Sequence, residues 1–162
     1  MSRHPQLLIF GYGNPGRGDD GLGPAIAERI ELLERPGIVV ETPMQLNLED
    51  AALVAEAKSV LFIDADVSLQ APFALREAAP AGRIEFTSHA MSPGALLAVC
   101  ADYFAPPPPA WVLSVKGVEF GVGEGMSREA AENLEAALEF TLDWIEERSG
   151  GKAFDYARSG NG

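Results

Sequence analysis

The chain has 162 residues, 47% of them apolar and 22% charged, which fits one soluble globular domain that buries enough surface to hold together without disulfides. Lys and Arg number 12 against 24 Asp and Glu, a net charge of −12, and so acidic a surface excludes nucleic acid and anionic membrane as partners. One cysteine and two histidines exclude an internal disulfide and a closed structural zinc site, and with no apolar run near a membrane span and only Leu7–Phe10 where a signal-peptide core would stand, a cytoplasmic protein is expected.

Leu7-Leu8-Ile9-Phe10 is an uninterrupted apolar run, which predicts a strand buried on both faces. Gly11 to Gly23 reads as a loop. Pro24 then starts a helix, since its missing N–H would be unpaired in a first turn anyway. Ala25, Ile26, Ile30 and Leu33 form the apolar stripe of that helix, and Pro36-Gly37 stops it. Ile38 to Thr42 predicts a short β-branched strand. Asn47 followed by Asp50 makes a capping arrangement that opens a helix reaching about Ala57. Ser59 to Ile63 is a third buried strand, ended by Asp64. Phe73–Glu77 and Arg83–Phe86 predict two shorter strands, or a hairpin, at a sheet edge.

Ser92-Pro93 combines an N-cap with a first-turn proline and opens a helix that runs to about Tyr103. Pro106 to Pro109 is a stiff connector, and Trp111 to Val115 a further strand. Ser127 caps the longest helix, with Leu134, Leu138, Thr141, Leu142 and Ile145 on one side and Glu132, Glu135, Glu139, Asp143 and Glu146 on the other. Residues 1–150 are expected to form a single α/β domain, and residues 151–162, which lack periodicity, a disordered tail. Strands alternating with helices predict a mostly parallel sheet covered on both faces.

The chemistry begins at Gly11-Tyr12-Gly13-Asn14-Pro15-Gly16, which matches GxGxxG directly after a strand. A nucleotide-binding, Rossmann-like module is the reading this invites. Pro15 removes an N–H donor, however, and Asp19 and Asp20 stand where phosphate charges would rest. One of those aspartates is expected to cap the following helix. Asp64, at the mouth of the most apolar strand, reads either as a strand-end turn bonding its own backbone or as a site residue. In a doubly wound sheet the first and third strands neighbour each other where strand order reverses, so Asp20 and Asp64 face one crevice. His89, in a polar loop before the Ser92 helix, is expected at the same rim. Two carboxylates and an imidazole suit a borderline divalent ion that leaves positions open for substrate. Cys100 reads as a small buried hydrophobe with no cation to activate it. Ser88 and Ser92 flank His89, but no Gly-x-Ser-x-Gly elbow exists and Ser92 serves better as a cap.

Phe10 to Gly23 (FGYGNPGRGDDGLG), Phe62-Ile63-Asp64-Ala65 and Thr87 to Pro93 (TSHAMSP) together resemble the hydrogenase maturation proteases, in order and at family-like intervals. The resemblance runs from Leu7 to about Glu147. Met44-Gln45-Leu46 and Val115 to Gly121 look closest to the branch that serves NAD-reducing, bidirectional-type hydrogenases. The resemblance implies a three-layer α/β/α peptidase domain with a five-stranded, mostly parallel twisted sheet. It implies an endopeptidase that trims the C-terminal extension from the large-subunit precursor of a nickel–iron hydrogenase once nickel is in place. The family's catalytic and metal-binding positions map onto Asp20, Asp64 and His89, with Asp20 standing where Glu is common. Nickel would be supplied by the precursor, with no organic cofactor, and the chain would act as a monomer. Beside the nucleotide reading, a non-cleaving checkpoint or chaperone of the same fold is the other alternative.

Overall fold

The computed structural model describes residues 4–81 and 91–150. Within them the chain runs β1 (Leu7–Gly11), a 3₁₀ turn (Gly18–Gly21), α1 (Leu22–Glu31), β2 (Ile38–Glu41) and α2 (Asp50–Glu56). It continues through β3 (Val60–Asp66), β4 (Phe73–Ala78), α3 (Pro93–Tyr103), β5 (Ala110–Lys116) and α4 (Arg128–Gly150). The five strands form one sheet in the order β2-β1-β3-β5-β4. β1 pairs in parallel with β2 and β3, and β3 with β5, while β4 runs antiparallel along β5 at the edge. Strand order reverses between β1 and β3, as expected, and the crevice beyond their carboxyl ends is where such sheets take ligands.

Strand alternation splits the core in two. Leu7, Ile9, Leu61, Ile63, Leu113 and Val115 face α1 and α4. Leu8, Phe10, Val60, Phe62 and Val112 face α2 and α3, with the register partners Phe10 and Phe62 stacked 5.6 Å apart. The result is the three-layer α/β/α arrangement with a five-stranded, mostly parallel sheet. Glycine lets α1 lie so close to the strands. A Cβ on Gly11 would strike the carbonyl oxygen of Gly23, and one on Gly23 would strike that of Ile63.

The predicted Ser92 and Ser127 caps are present, whereas at α2, whose N-cap position is Glu49 without a side-chain cap, only the Asp50 half of the Asn47–Asp50 arrangement forms. Ser92 Oγ accepts from the Ala95 N–H at 3.1 Å, Ser127 Oγ from the Ala130 N–H at 3.1 Å, and Asp50 Oδ2 from the Asn47 N–H at 2.9 Å. α1 begins earlier than Pro24, at Leu22, and its buried stripe is Leu22, Ile26, Ala27 and Ile30. Leu33 lies past the helix end and is 48% exposed, because the chain turns away through Glu34, whose φ is 51°. β4 pairs with β5; the Arg83–Phe86 strand and the 151–162 tail fall outside the described residues. Among the described residues no helix is long and apolar enough to cross a membrane.

Candidate active site at the carboxyl rim

The same period-2 alternation that lays Phe10, Phe62 and Val112 on the α2/α3 face places Tyr12, Asp64 and Ser114 one step further along. Three apolar rows therefore end in polar groups at the carboxyl rim. The Tyr12 hydroxyl donates to Asp64 Oδ2 at 2.8 Å. Ser114, the register partner of Asp64 on β5, is buried, and its Oγ accepts from Arg76 Nη1 at 3.4 Å. Among the described residues the buried Asp64 Oδ1 has no hydrogen-bond partner.

Burial pushes the Asp64 carboxyl above its ordinary range, and Asp66 adds to the rise; the Tyr12 and Ser114 hydroxyls and the Arg76 guanidinium pull the other way. Burial, the Asp64 charge and the bond to it push the Tyr12 phenol far upward, so Tyr12 stays a protonated donor. The local-turn reading belongs to Asp66 instead of Asp64. Asp66 Oδ1 accepts from Ser68 Oγ at 2.7 Å and from the Ser68 N–H at 2.9 Å, which holds its carboxyl below the ordinary range.

Neither Asp19 nor Asp20 caps α1, contrary to the expectation from sequence: the residue before that helix is Gly21, with no side-chain cap. Asp19 is fully buried, and its Oδ2 accepts from the N–H groups of Val118 and Glu119 and from Ser127 Oγ, each at 2.8 Å. Its Oδ1 accepts from the Ser127 N–H at 2.7 Å. Burial works against the Asp19 charge, but these donors outweigh it and hold the carboxyl below its usual range. Asp19 thus clasps the segment between β5 and α4 to the loop after β1. Asp20 is half-buried, with Oδ2 accepting from the Asn14 N–H at 2.8 Å. Its 3₁₀ turn packs against β3, the strand that carries Asp64.

The glycine-rich loop is not an anion cradle. The N–H of Tyr12 goes to Ile63 O, of Gly13 to Pro43 O, of Asn14 to Asp20 Oδ2 and of Gly16 to Asn14 Oδ1. Those of Arg17, Asp19 and Asp20 are bonded to Asn14, Glu119 and Arg17 carbonyls. Donors spent inside the loop are not available to a pyrophosphate. Gly13, at φ 145°, serves close packing, since a Cβ there would strike the Asp20 carbonyl oxygen.

His89 lies outside the described residues, as does Ser88. The antiparallel β4 leaves the sheet at Ala78, opposite Ala110 at the start of β5, so strand direction does not by itself carry the following segment to the carboxyl rim. Its described flanks, Ala81 and Ser92, border a recess of about 290 Å³ that Arg76 also lines. Cys100 is fully buried in α3, where burial pushes its thiol up and Sγ donates to Ala105 O at 3.3 Å; it is no nucleophile. Tyr12, Ser114 and Arg76 did not emerge from the sequence. The first two are legible in retrospect, two residues beyond apolar rows; an Arg on a polar edge strand carries no such signal.

Among the described residues no group of three His, Cys, Asp or Glu side chains is arranged to hold a metal ion. A buried carboxylate oxygen without a donor, Asp64 Oδ1, nevertheless suits a cation. By fold, the chain is an α/β protein similar to hydrogenase maturation proteases of known structure. The hydrogenase maturating endopeptidase HybD from E. coli superposes with a TM-score of 0.68 at 19% identity, covering 88% of this chain and 93% of its own. The [NiFe] hydrogenase maturation protease HycI from Thermococcus kodakarensis KOD1 gives 0.66 at 19%, covering 87% and 92%. The endopeptidase HycI from Escherichia coli gives 0.64 at 21%, covering 86% and 91%. No family model matches the chain, and no curated protein matches it.

Proposed function

We propose that the chain is an endopeptidase that removes the C-terminal extension of a nickel–iron hydrogenase large-subunit precursor after nickel insertion. The fold it has in common with maturation proteases supports the reaction class. The observation that carries the reading is Asp64 at the mouth of β3, whose buried Oδ1 has no donor among the described residues.

On this reading Asp20, Asp64 and His89 engage nickel held by the precursor and so align the scissile peptide. Nickel in that position supplies Lewis-acid polarisation. Tyr12 holds Asp64 Oδ2, so Oδ1 is the oxygen Asp64 offers to the ion or to the attacking water. Attack by water fits the absence of a usable thiol, Cys100 being buried in the α3 core. A proton taken from that water goes to the departing amine. The precursor is the only partner required, in the cytoplasm, with the chain acting as a monomer. The likeness of Met44–Leu46 and Val115–Gly121 to the branch serving NAD-reducing hydrogenases supports a substrate of that type.

Purified protein is incubated with nickel-loaded and nickel-free precursor, and loss of the C-terminal peptide is read by mass. Cleavage confined to the loaded form is expected. Equal cleavage of both removes nickel from the mechanism. A checkpoint or chaperone role instead predicts that Asp64→Asn leaves maturation intact. A nucleotide module predicts chelator-resistant NAD or ATP binding, against which the spent N–H groups of Tyr12, Gly13, Asn14, Gly16, Arg17, Asp19 and Asp20 argue.

A further inference from the structure

We propose that the recess beside Arg76 is a subsite for a carboxylate of the peptide substrate, anchored by the Arg76 guanidinium. This rests on the endopeptidase reading and adds the charge that the site accepts near the scissile bond. The recess, of about 290 Å³, is lined by Arg76, Ser92, Pro93, Gly94 and Val112 on the α3 side of the edge strand, with Glu77 on its border. Its size fits one or two peptide side chains.

Asp64 and Ser114 are register partners on β3 and β5, and Arg76, which pairs with Val112 on β5, reaches diagonally to Ser114. Ser114 Oγ takes one Arg76 N–H at 3.4 Å, which is Arg76's hydrogen bond among the described residues. That contact orients the guanidinium and leaves most of its fork without a partner among the described residues. Arg29 and Arg35, by contrast, are paired with Glu135 and Glu146; no described carboxylate pairs with Arg76. The Arg76 charge reaches Tyr12, Asp64 and Asp66, which makes it a cation beside the carboxylates of the rim. In a chain of net charge −12, an acidic peptide is repelled by the surface on average, and a guanidinium fork matches a carboxylate with two parallel bonds. The Arg76 guanidinium reaches Ser114 Oγ at 3.4 Å, and Ser114 is the register neighbour of Asp64, so one strand spacing, about 5 Å, separates the guanidinium from the Asp64 side chain. The carboxylate recognised is therefore an acidic side chain, or the chain end, within about one or two residues of the bond cut at Asp64.

The test is steady-state cleavage of nickel-loaded precursor by the full-length protein and its Arg76→Gln and Arg76→Lys variants. A second precursor has the acidic residues near the cleavage point changed to amides. Arg76→Gln is expected to raise KM about 10- to 100-fold with kcat within about twofold, and Arg76→Lys to recover part of the loss. The amide precursor should cost the parent enzyme a similar factor and the Arg76→Gln variant little. An unchanged KM in Arg76→Gln while the parent cleaves normally overturns the subsite. So does a fall in kcat at constant KM, which would mean that Arg76 acts on Asp64 and not on the peptide. No cleavage by the parent defeats the endopeptidase reading itself.

Discussion

The Tyr12 hydroxyl and Asp64 Oδ2, 52 positions apart in sequence, are joined by a 2.8 Å hydrogen bond across the crevice where strand order reverses. The bond fixes the carboxylate plane and determines which of its oxygens is left without a donor. Tyr12→Phe keeps the ring and removes the donor. The expected loss is about 1–2 kcal/mol in kcat/KM, the worth of a hydrogen bond to a charged group, with little change in Tm. Processing kinetics on matched precursor measure it; an unchanged kcat/KM would leave Tyr12 with packing alone.

Asp64 itself should trade stability against function. Its carboxyl is raised, chiefly by burial, so the folded state binds its proton more tightly than the unfolded chain does. Charge on Asp64 therefore costs stability once pH rises above the ordinary carboxylate range of about 4. The penalty shrinks as pH falls toward that range. Asp64→Asn keeps the shape, removes the charge and is expected to melt at a higher temperature than the parent at pH 7. Its cleavage rate should fall by about 10³-fold or more, as for loss of a group acting on the reacting atoms. Calorimetry alongside the cleavage assay checks both halves, and a variant that cleaves normally would end the catalytic assignment.

These two residues also mark what the sequence could and could not reveal. Asp64 was legible because a carboxylate ending a buried apolar strand is a costly placement. The strand order β1 next to β3 followed from the alternation of strands and helices. The division of labour between Asp19 and Asp20 was not legible, because the donors to Asp19 come from Val118, Glu119 and Ser127, about 100 residues away. A short window offers an Asp only local roles such as a cap or a turn, not a clasp to a distant segment. The direction of β4 was hidden for a related reason: its polar alternation fits an edge, and an edge strand can pair either way.

Cys100 supplies a cheap discriminator between water attack and an acyl-enzyme. The thiol is fully buried, raised by burial, and bonded to Ala105 O. Iodoacetamide should leave the native protein unmodified and its processing activity intact, with alkylation appearing only on unfolding. Mass measurement before and after denaturation reads this directly. Inhibition by alkylation of native protein at Cys100 would force the mechanism to be redrawn.

Asp19 should govern acid stability. Its carboxyl is fully buried and accepts from the N–H groups of Val118, Glu119 and Ser127 and from Ser127 Oγ, which hold it below the ordinary range. A folded-state value below the unfolded one means that the unfolded chain binds the proton more readily. The contribution is then complete above the ordinary carboxylate value of about 4, and it is lost as pH falls through the lower folded value. Asp19→Asn replaces an acceptor by an amide that must donate toward groups already donating. At pH 7 it is expected to cost on the order of 3 kcal/mol, and the difference from the parent should narrow as pH drops below about 4. Urea unfolding of parent and variant at several pH values gives that difference directly. A cost that stays constant down to acid pH would show that Asp19 acts through shape and not through its charge.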